Sequence, residues 1–67
     1  MPKYIDYLFE DKETGEMFFV EIEKKLNKSY TDCYSEAWKI AEENFEEPEF
    51  IEEMSPTLAD TYGYDTY

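Results

Sequence analysis

The sequence predicts an α+β fold: a small antiparallel sheet, made of a hairpin plus a third strand, with one amphipathic helix packed across it in the order ββαβ. Three observations carry this expectation. Two stretches of alternating apolar and polar residues flank a polar run that ends in Gly15. From Ser29 to Phe45 the apolar period changes from that of a strand to that of a helix. Beyond Pro48 lies a short apolar and acidic segment, and a two-stranded hairpin alone under a helix makes a poor sheet, so this segment is read as the third strand.

In the first stretch Ile5, Tyr7 and Phe9 fall on one side and Asp6, Leu8 and Glu10 on the other. Aromatic and β-branched residues dominate it, as suits a strand. Gly15 supplies the positive φ that a bulged hairpin turn often needs. The second stretch places Phe18, Val20 and Ile22 on one face and Met17, Phe19, Glu21 and Glu23 on the other. In the helix Tyr30, Cys33, Tyr34, Ala37, Ala41 and Phe45 share a face, with Trp38 and Ile40 on its flanks. Ser29 or Thr31 can cap its start, and Asp32 suits the positive end of its dipole. Lys39 is placed to pair with Glu36 and Glu43, each pair worth about 0.3–0.5 kcal/mol.

Pro48 ends the helix. Read as a strand, the segment from Glu49 to Met54 puts Phe50, Glu52 and Met54 on one face and Ile51 and Glu53 on the other. Read as a short helix, it turns Phe50, Ile51, Met54 and Leu58 inward. Ser55 and Pro56 then read as the cap and first residue of a helical turn. The end of the chain, residues 61–67, has too few aliphatic residues for a core element; it is expected to pack by its tyrosines or to stay partly free. The whole is one small acidic domain, residues 1–67, of which 55–67 form a turn and a Tyr-rich tail.

The 67 residues carry a formal net charge of −12. They are also 42% hydrophobic and 19% aromatic, a composition that argues against an acidic disordered segment. The charge is uneven. Residues 1–28 hold seven acids against five lysines, whereas residues 29–67 hold eleven acids against Lys39 alone. Between Glu42 and Glu53 seven of twelve residues are glutamate and none is basic. A single cysteine, Cys33, excludes an internal disulfide and fits a reducing cytoplasm. No apolar run reaches the ~18 residues of a membrane span, so the protein is expected to be soluble and cytoplasmic.

Several function classes are disfavoured. The chain has no histidine, the commonest general base and metal ligand. Cys33 lies on the apolar helix face and reads as a small core residue. The run from Asp11 to Gly15 faintly resembles a calcium loop, but the twelfth position, where a bidentate glutamate belongs, is Ile22. Two glycines cannot build a phosphate-binding loop. Direct binding of nucleic acid is opposed by the sign of the charge. No enzyme activity, metal or cofactor is expected.

What remains is the acidic surface as a ligand. Carboxylates one helical turn apart are about 5–6 Å apart, so Glu36, Glu43, Glu46, Glu47, Glu49, Glu52 and Glu53 are candidates for a row that presents to a basic groove a field like that of nucleic acid. Tyr62, Tyr64 and Tyr67, with Trp38, are candidate anchors for specificity. Charge reversal within the row is expected to weaken binding, and reversal at Asp11 and Glu13 to matter less. Against this stands the plain alternative that the glutamates are only solvated.

The hairpin of residues 4–22, the helix of residues 30–45 and the acidic segment after it resemble, in layout and charge, the small phage-encoded inhibitor proteins of ββαβ order. These include anti-CRISPR proteins, uracil-DNA glycosylase inhibitors and inhibitors of bacterial RNA polymerase. The likeness covers roughly residues 4–54 and implies a protein that blocks a host nucleic-acid enzyme by occupying its substrate groove in the host cytoplasm. It suggests first an anti-CRISPR protein whose partner is a basic nucleic-acid-binding protein. The alternatives are inhibition of uracil-DNA glycosylase or RNA polymerase, and a regulatory or adaptor domain that binds a protein through a sheet edge or its tyrosines. An open sheet edge also invites a homodimer.

Overall fold

Alternation builds the hairpin in the computed structural model, which describes residues 3–67. Strand β1 (Lys3–Asp11) pairs antiparallel with β2 (Met17–Lys24). Ile5 lies opposite Ile22, Tyr7 opposite Val20 and Phe9 opposite Phe18 on one face. Asp6 lies opposite Glu21 and Leu8 opposite Phe19 on the other. The turn is closed by Asp11, whose buried carboxylate accepts from the Glu13 backbone N–H and the Thr14 hydroxyl, both at 3.2 Å. Gly15 takes the expected positive φ, 78°.

Helix α1 (Tyr30–Asn44) crosses the first face. Ser29 caps it, its hydroxyl accepting from the Asp32 N–H at 3.0 Å. Small buried residues, Cys33, Ala37 and Ala41, let the helix lie close on the sheet, while Trp38, Ile40 and Phe45 pack from the flanks. Tyr30 and Tyr34 belong to the same helical face by period, yet neither is buried, Tyr30 staying 55% exposed and Tyr34 39%. Glu36 pairs with Lys28 rather than Lys39, and Lys39 makes no ion pair among the described residues.

Strand β3 (Pro48–Met54) adds antiparallel to the outer side of β1. It is a strand, but not one of simple alternation. The register shifts between Leu8 and Phe9, which pair with Glu52 and Phe50, so Ile51 is an extra residue. Such a bulge turns the residues beyond it over. Phe50 therefore packs on the helix side, whereas Met54 packs on the opposite side with Leu8 and Phe19. The expectation that Phe50, Glu52 and Met54 share a face is corrected by this one residue.

The second face of the sheet is also covered. Ser55 caps the short helix α2 (Pro56–Ala59), accepting from the Leu58 N–H at 3.3 Å. Ala59 lies on Leu8, Phe19 and Met54 as a second, smaller core. The residues beyond form a fourth strand, β4 (Asp65–Thr66), which runs parallel to β2 and gives the order β3-β1-β2-β4. Two backbone bonds hold it, Tyr67 N–H to Phe19 O at 2.8 Å and Glu21 N–H to Tyr67 O at 3.0 Å. The sheet is thus mixed rather than purely antiparallel. Tyrosines replace the missing aliphatics: Tyr67 meets Phe18 and Phe45 edge-on, and Tyr62 and Tyr64 lie against Phe19.

Candidate functional site

The hairpin register sets the charge map. Lys3 faces Lys24 where β1 begins and β2 ends, and Lys25 and Lys28 follow in the connection to α1. Four of the six lysines therefore collect at one end of a molecule measuring 35 × 24 × 15 Å. The hairpin turn, the last turn of α1 and the start of β3 meet at the other end, tied by Lys12 N–H to Glu47 O at 2.9 Å and by Glu47 N–H to Asp11 Oδ1 at 3.3 Å. That end holds Glu10, Glu13, Glu16, Glu42, Glu43, Glu46, Glu47 and Glu49. Lys12 is the cation among them, paired with Glu10 at 2.9 Å and with Glu49 at 3.6 Å.

The candidate residues divide accordingly. Glu43, Glu46, Glu47 and Glu49 belong to this acidic end. Glu52 stands beside them on the sheet face away from α1, opposite Leu8. Glu36 is drawn to Lys28. Glu53 turns to the helix side, beyond the bulge, and lines a groove with Tyr30, Thr31, Tyr34 and Phe50. Tyr62 and Tyr64 lie across the other face, each 5.9 Å from the Phe19 ring. The structure does not bring the seven glutamates into one row, and it sets the two tyrosines on a different face from Glu53. It also makes Asp11 and Glu13 poor controls for the acidic end: Asp11 is a buried part of the scaffold there, and Glu13 sits beside it.

The acidic end opposes the stability of its own helix. Glu42 and Glu43 occupy the last turn of α1, which has no basic residue, although the exposed carbonyls there carry the negative end of the dipole. Each such charge disfavours the helix by roughly 0.3–1 kcal/mol. Glu42→Lys with Glu43→Lys is therefore expected to raise the melting temperature by about 4–8 °C for ~1 kcal/mol gained, as read by circular dichroism at low salt. A lowered melting temperature in that variant would mean that these glutamates serve packing.

Sequence reasoning missed one group. Asp6 is only 3% exposed, and its Oδ1 has no hydrogen-bond partner among the described residues. Burial raises its pKa from 3.8 to about 7, helped by a hydrogen bond to Glu21 across the β1–β2 ladder and by the charges of Glu21 and Asp60. The side chain points to the face that α2 and the tail cover, so its burial follows from elements the periodicity did not reveal. The second buried group without a partner is the Tyr7 hydroxyl, whose pKa burial pushes up to about 12. An unpaired buried hydroxyl costs about 1–3 kcal/mol.

For catalysis Asp6 is the one carboxyl with a markedly raised pKa, yet neither groove beside Tyr30 opens onto it. Cys33 is a free thiol, fully buried under the helix. Among the described residues, no group of three or more cysteine or acidic side chains is arranged to hold a metal ion, and no helix is long and apolar enough to cross a membrane. No protein-family model matches the chain, and neither a curated protein nor a solved structure is significantly similar to it.

Proposed function

We propose that the protein is a non-enzymatic binder of a strongly basic protein surface, and that its acidic end enters the groove a nucleic-acid-binding protein keeps for its substrate. The observation that carries this reading is the end-to-end separation of charge, with the acids at one end gathered from the hairpin turn, α1 and β3 and opposed by Lys12. Carboxylates held on a rigid scaffold at such density attract a basic groove and speed encounter with it. The unfavourable placement of Glu42 and Glu43 supports a role beyond solubility, because a solvated surface needs no charge at the wrong end of a dipole. Among targets of this kind we place first a CRISPR effector, whose heteroduplex channel is positively charged, with uracil-DNA glycosylase and RNA polymerase as further candidates.

A second copy of the chain fits the surface less well. Antiparallel pairing of two β3 edges would lay the run of Glu49, Glu52 and Glu53 in one copy alongside the same run in the other, and like charges facing each other across a ladder destabilise it.

The test is capture of partners from a bacterial lysate by the wild type and by a Glu43→Lys, Glu46→Lys, Glu47→Lys variant. Glu23→Lys, at the lysine-bearing end, is the control. A nucleic-acid enzyme held by the wild type and the control, released by moderate salt and displaced by DNA or RNA, is the expected result. The triple variant should hold it about tenfold more weakly or worse. A partner retained equally by all three chains at either salt would overturn the reading.

A further inference from the structure

Between the first turns of α1 and strand β3 runs an open groove of about 410 Å³. Its walls are Tyr30, Thr31 and Tyr34 on the helix and Phe50 and Glu53 on the strand. The groove exists because the bulge at Ile51 turns Glu53 to the helix side, whereas regular alternation from Phe50 would have set it on the other face. Tyr34 and Phe50 meet edge to face, with ring centroids 5.1 Å apart at 87°. Tyr7 lies beneath them as a floor, 6.2 Å from each ring. Its hydroxyl is buried and has no hydrogen-bond partner among the described residues. The walls therefore carry three aromatic rings, one carboxylate and no cation.

We propose that this groove seats an arginine side chain of the protein's partner, its guanidinium stacked on the rings and paired with Glu53. The proposal deepens the reading of a basic partner and rests on it for the source of the arginine, but it lies outside the acidic end. An apolar occupant would leave the Glu53 carboxylate desolvated and unpaired, which is unfavourable. A nucleotide would bring phosphates to a chain of net charge −12. Among cations, arginine fits better than lysine. Its plane stacks on aromatic faces, it is weakly hydrated, and it matches a carboxylate with two parallel N–H groups. It also has five donors, more than one carboxylate can accept, and the open side of the groove leaves the rest to water.

The chain itself shows what the Tyr30 ring attracts. Lys3 Nζ lies 5.4 Å and Lys24 Nζ 5.1 Å from the centroid of the Tyr30 ring. Lys3 also donates to the Tyr30 hydroxyl at 2.9 Å. Neither lysine lines the groove; Lys3 borders a smaller hollow of about 230 Å³ shared with Tyr30 and Glu53. These contacts brace the outer wall, so the guanidinium meets a ring already held in place.

The probe is a blocked glycine–arginine–glycine peptide, with its citrulline and lysine counterparts, titrated into the full chain and followed by NMR. Saturable shifts confined to Tyr30, Tyr34, Phe50 and Glu53 are expected with the arginine peptide. Binding should weaken about fivefold or more in Glu53→Gln, remain unchanged in a Glu46→Gln, Glu47→Gln variant, and be lost with citrulline. Glu53 is exposed, so its replacement leaves the fold intact, as the amide spectrum will show. Shifts spread evenly over the acidic residues, or indifferent to Glu53→Gln, would overturn the proposal. Failure here with salt-sensitive partner capture intact removes the groove alone. Success here with capture indifferent to Glu43, Glu46 and Glu47 removes the acidic end and leaves the groove as the recognition site.

Discussion

Asp6→Asn is expected to raise the melting temperature by roughly 10 °C at pH 8 and to change it little near pH 4. In the folded chain Asp6 is buried opposite Glu21 and near Asp60, and its pKa is raised from 3.8 to about 7. Protonated, it donates to the Glu21 carboxylate; ionised, it is a buried anion facing two others. Between pH 3.8 and about 7 the folded state thus holds a proton that the unfolded state has released. Stability is full below the unfolded value, falls as pH rises through that window, and levels off above it. With water reaching the exposed Glu21 and Asp60, the loss is on the order of 2–3 kcal/mol. Asparagine has the same shape, carries a donor for Glu21 and does not ionise. Unfolding curves of both chains from pH 4 to pH 8, with the Asp6 carboxyl followed by carbon-13 NMR, measure this. Parallel curves, or an asparagine variant less stable at pH 8, would show that Asp6 is ionised at no cost.

Phe18→Ala should leave most of the chain unfolded at 37 °C. Phe18 is fully buried, stacked on Phe45 at 3.9 Å and on Phe9 at 5.6 Å, with Tyr67 edge-on at 5.7 Å. It joins β1, β2, the end of α1 and the end of the chain in a single cluster. Truncating a buried phenylalanine removes about 3–5 kcal/mol. A domain of this size rarely holds more than that in total. Urea unfolding followed by Trp38 fluorescence and circular dichroism reads the effect. A well-folded variant that loses less than about 1 kcal/mol would mean that the cluster repacks around the gap.

How far the fold was legible varies by element. The hairpin and α1 were readable because each buries a face through a local period, and Asp6, Tyr7 and Phe18 took the sides their parity assigned. The existence of β3 was readable from the need for a third strand. The side on which Glu53 and Met54 fall was not, because one bulged residue reverses everything after it. Strand β4 has two residues, and only its partner, more than forty residues earlier, makes it a strand. Asp6 looked like any solvent-facing strand carboxylate because nothing local announces that a tail will cover it. The glutamate excess was plain in composition. Its gathering at one end depended on the hairpin turn and the α1–β3 connection meeting there, a consequence of topology rather than of spacing.

The parallel pairing of β4 with β2 has a kinetic consequence. Hairpin and helix contacts are close in sequence and form quickly, whereas β3 and β4 must both return across most of the chain, and closing such loops is entropically slow. Strand β3 is secured by a long ladder to β1, but β4 has only two ladder positions on β2. The segment from Ser55 onward is therefore expected to dock last and detach first, ahead of the hairpin, helix and β3. While it is detached, Leu8, Phe19 and Met54 lie bare on one side of the sheet and Asp6 is open to water and ionises freely. Newly made chains are expected to pass through that half-covered state, in which the charges of Asp6 and Glu21 make the bare face of one sheet repel that of another.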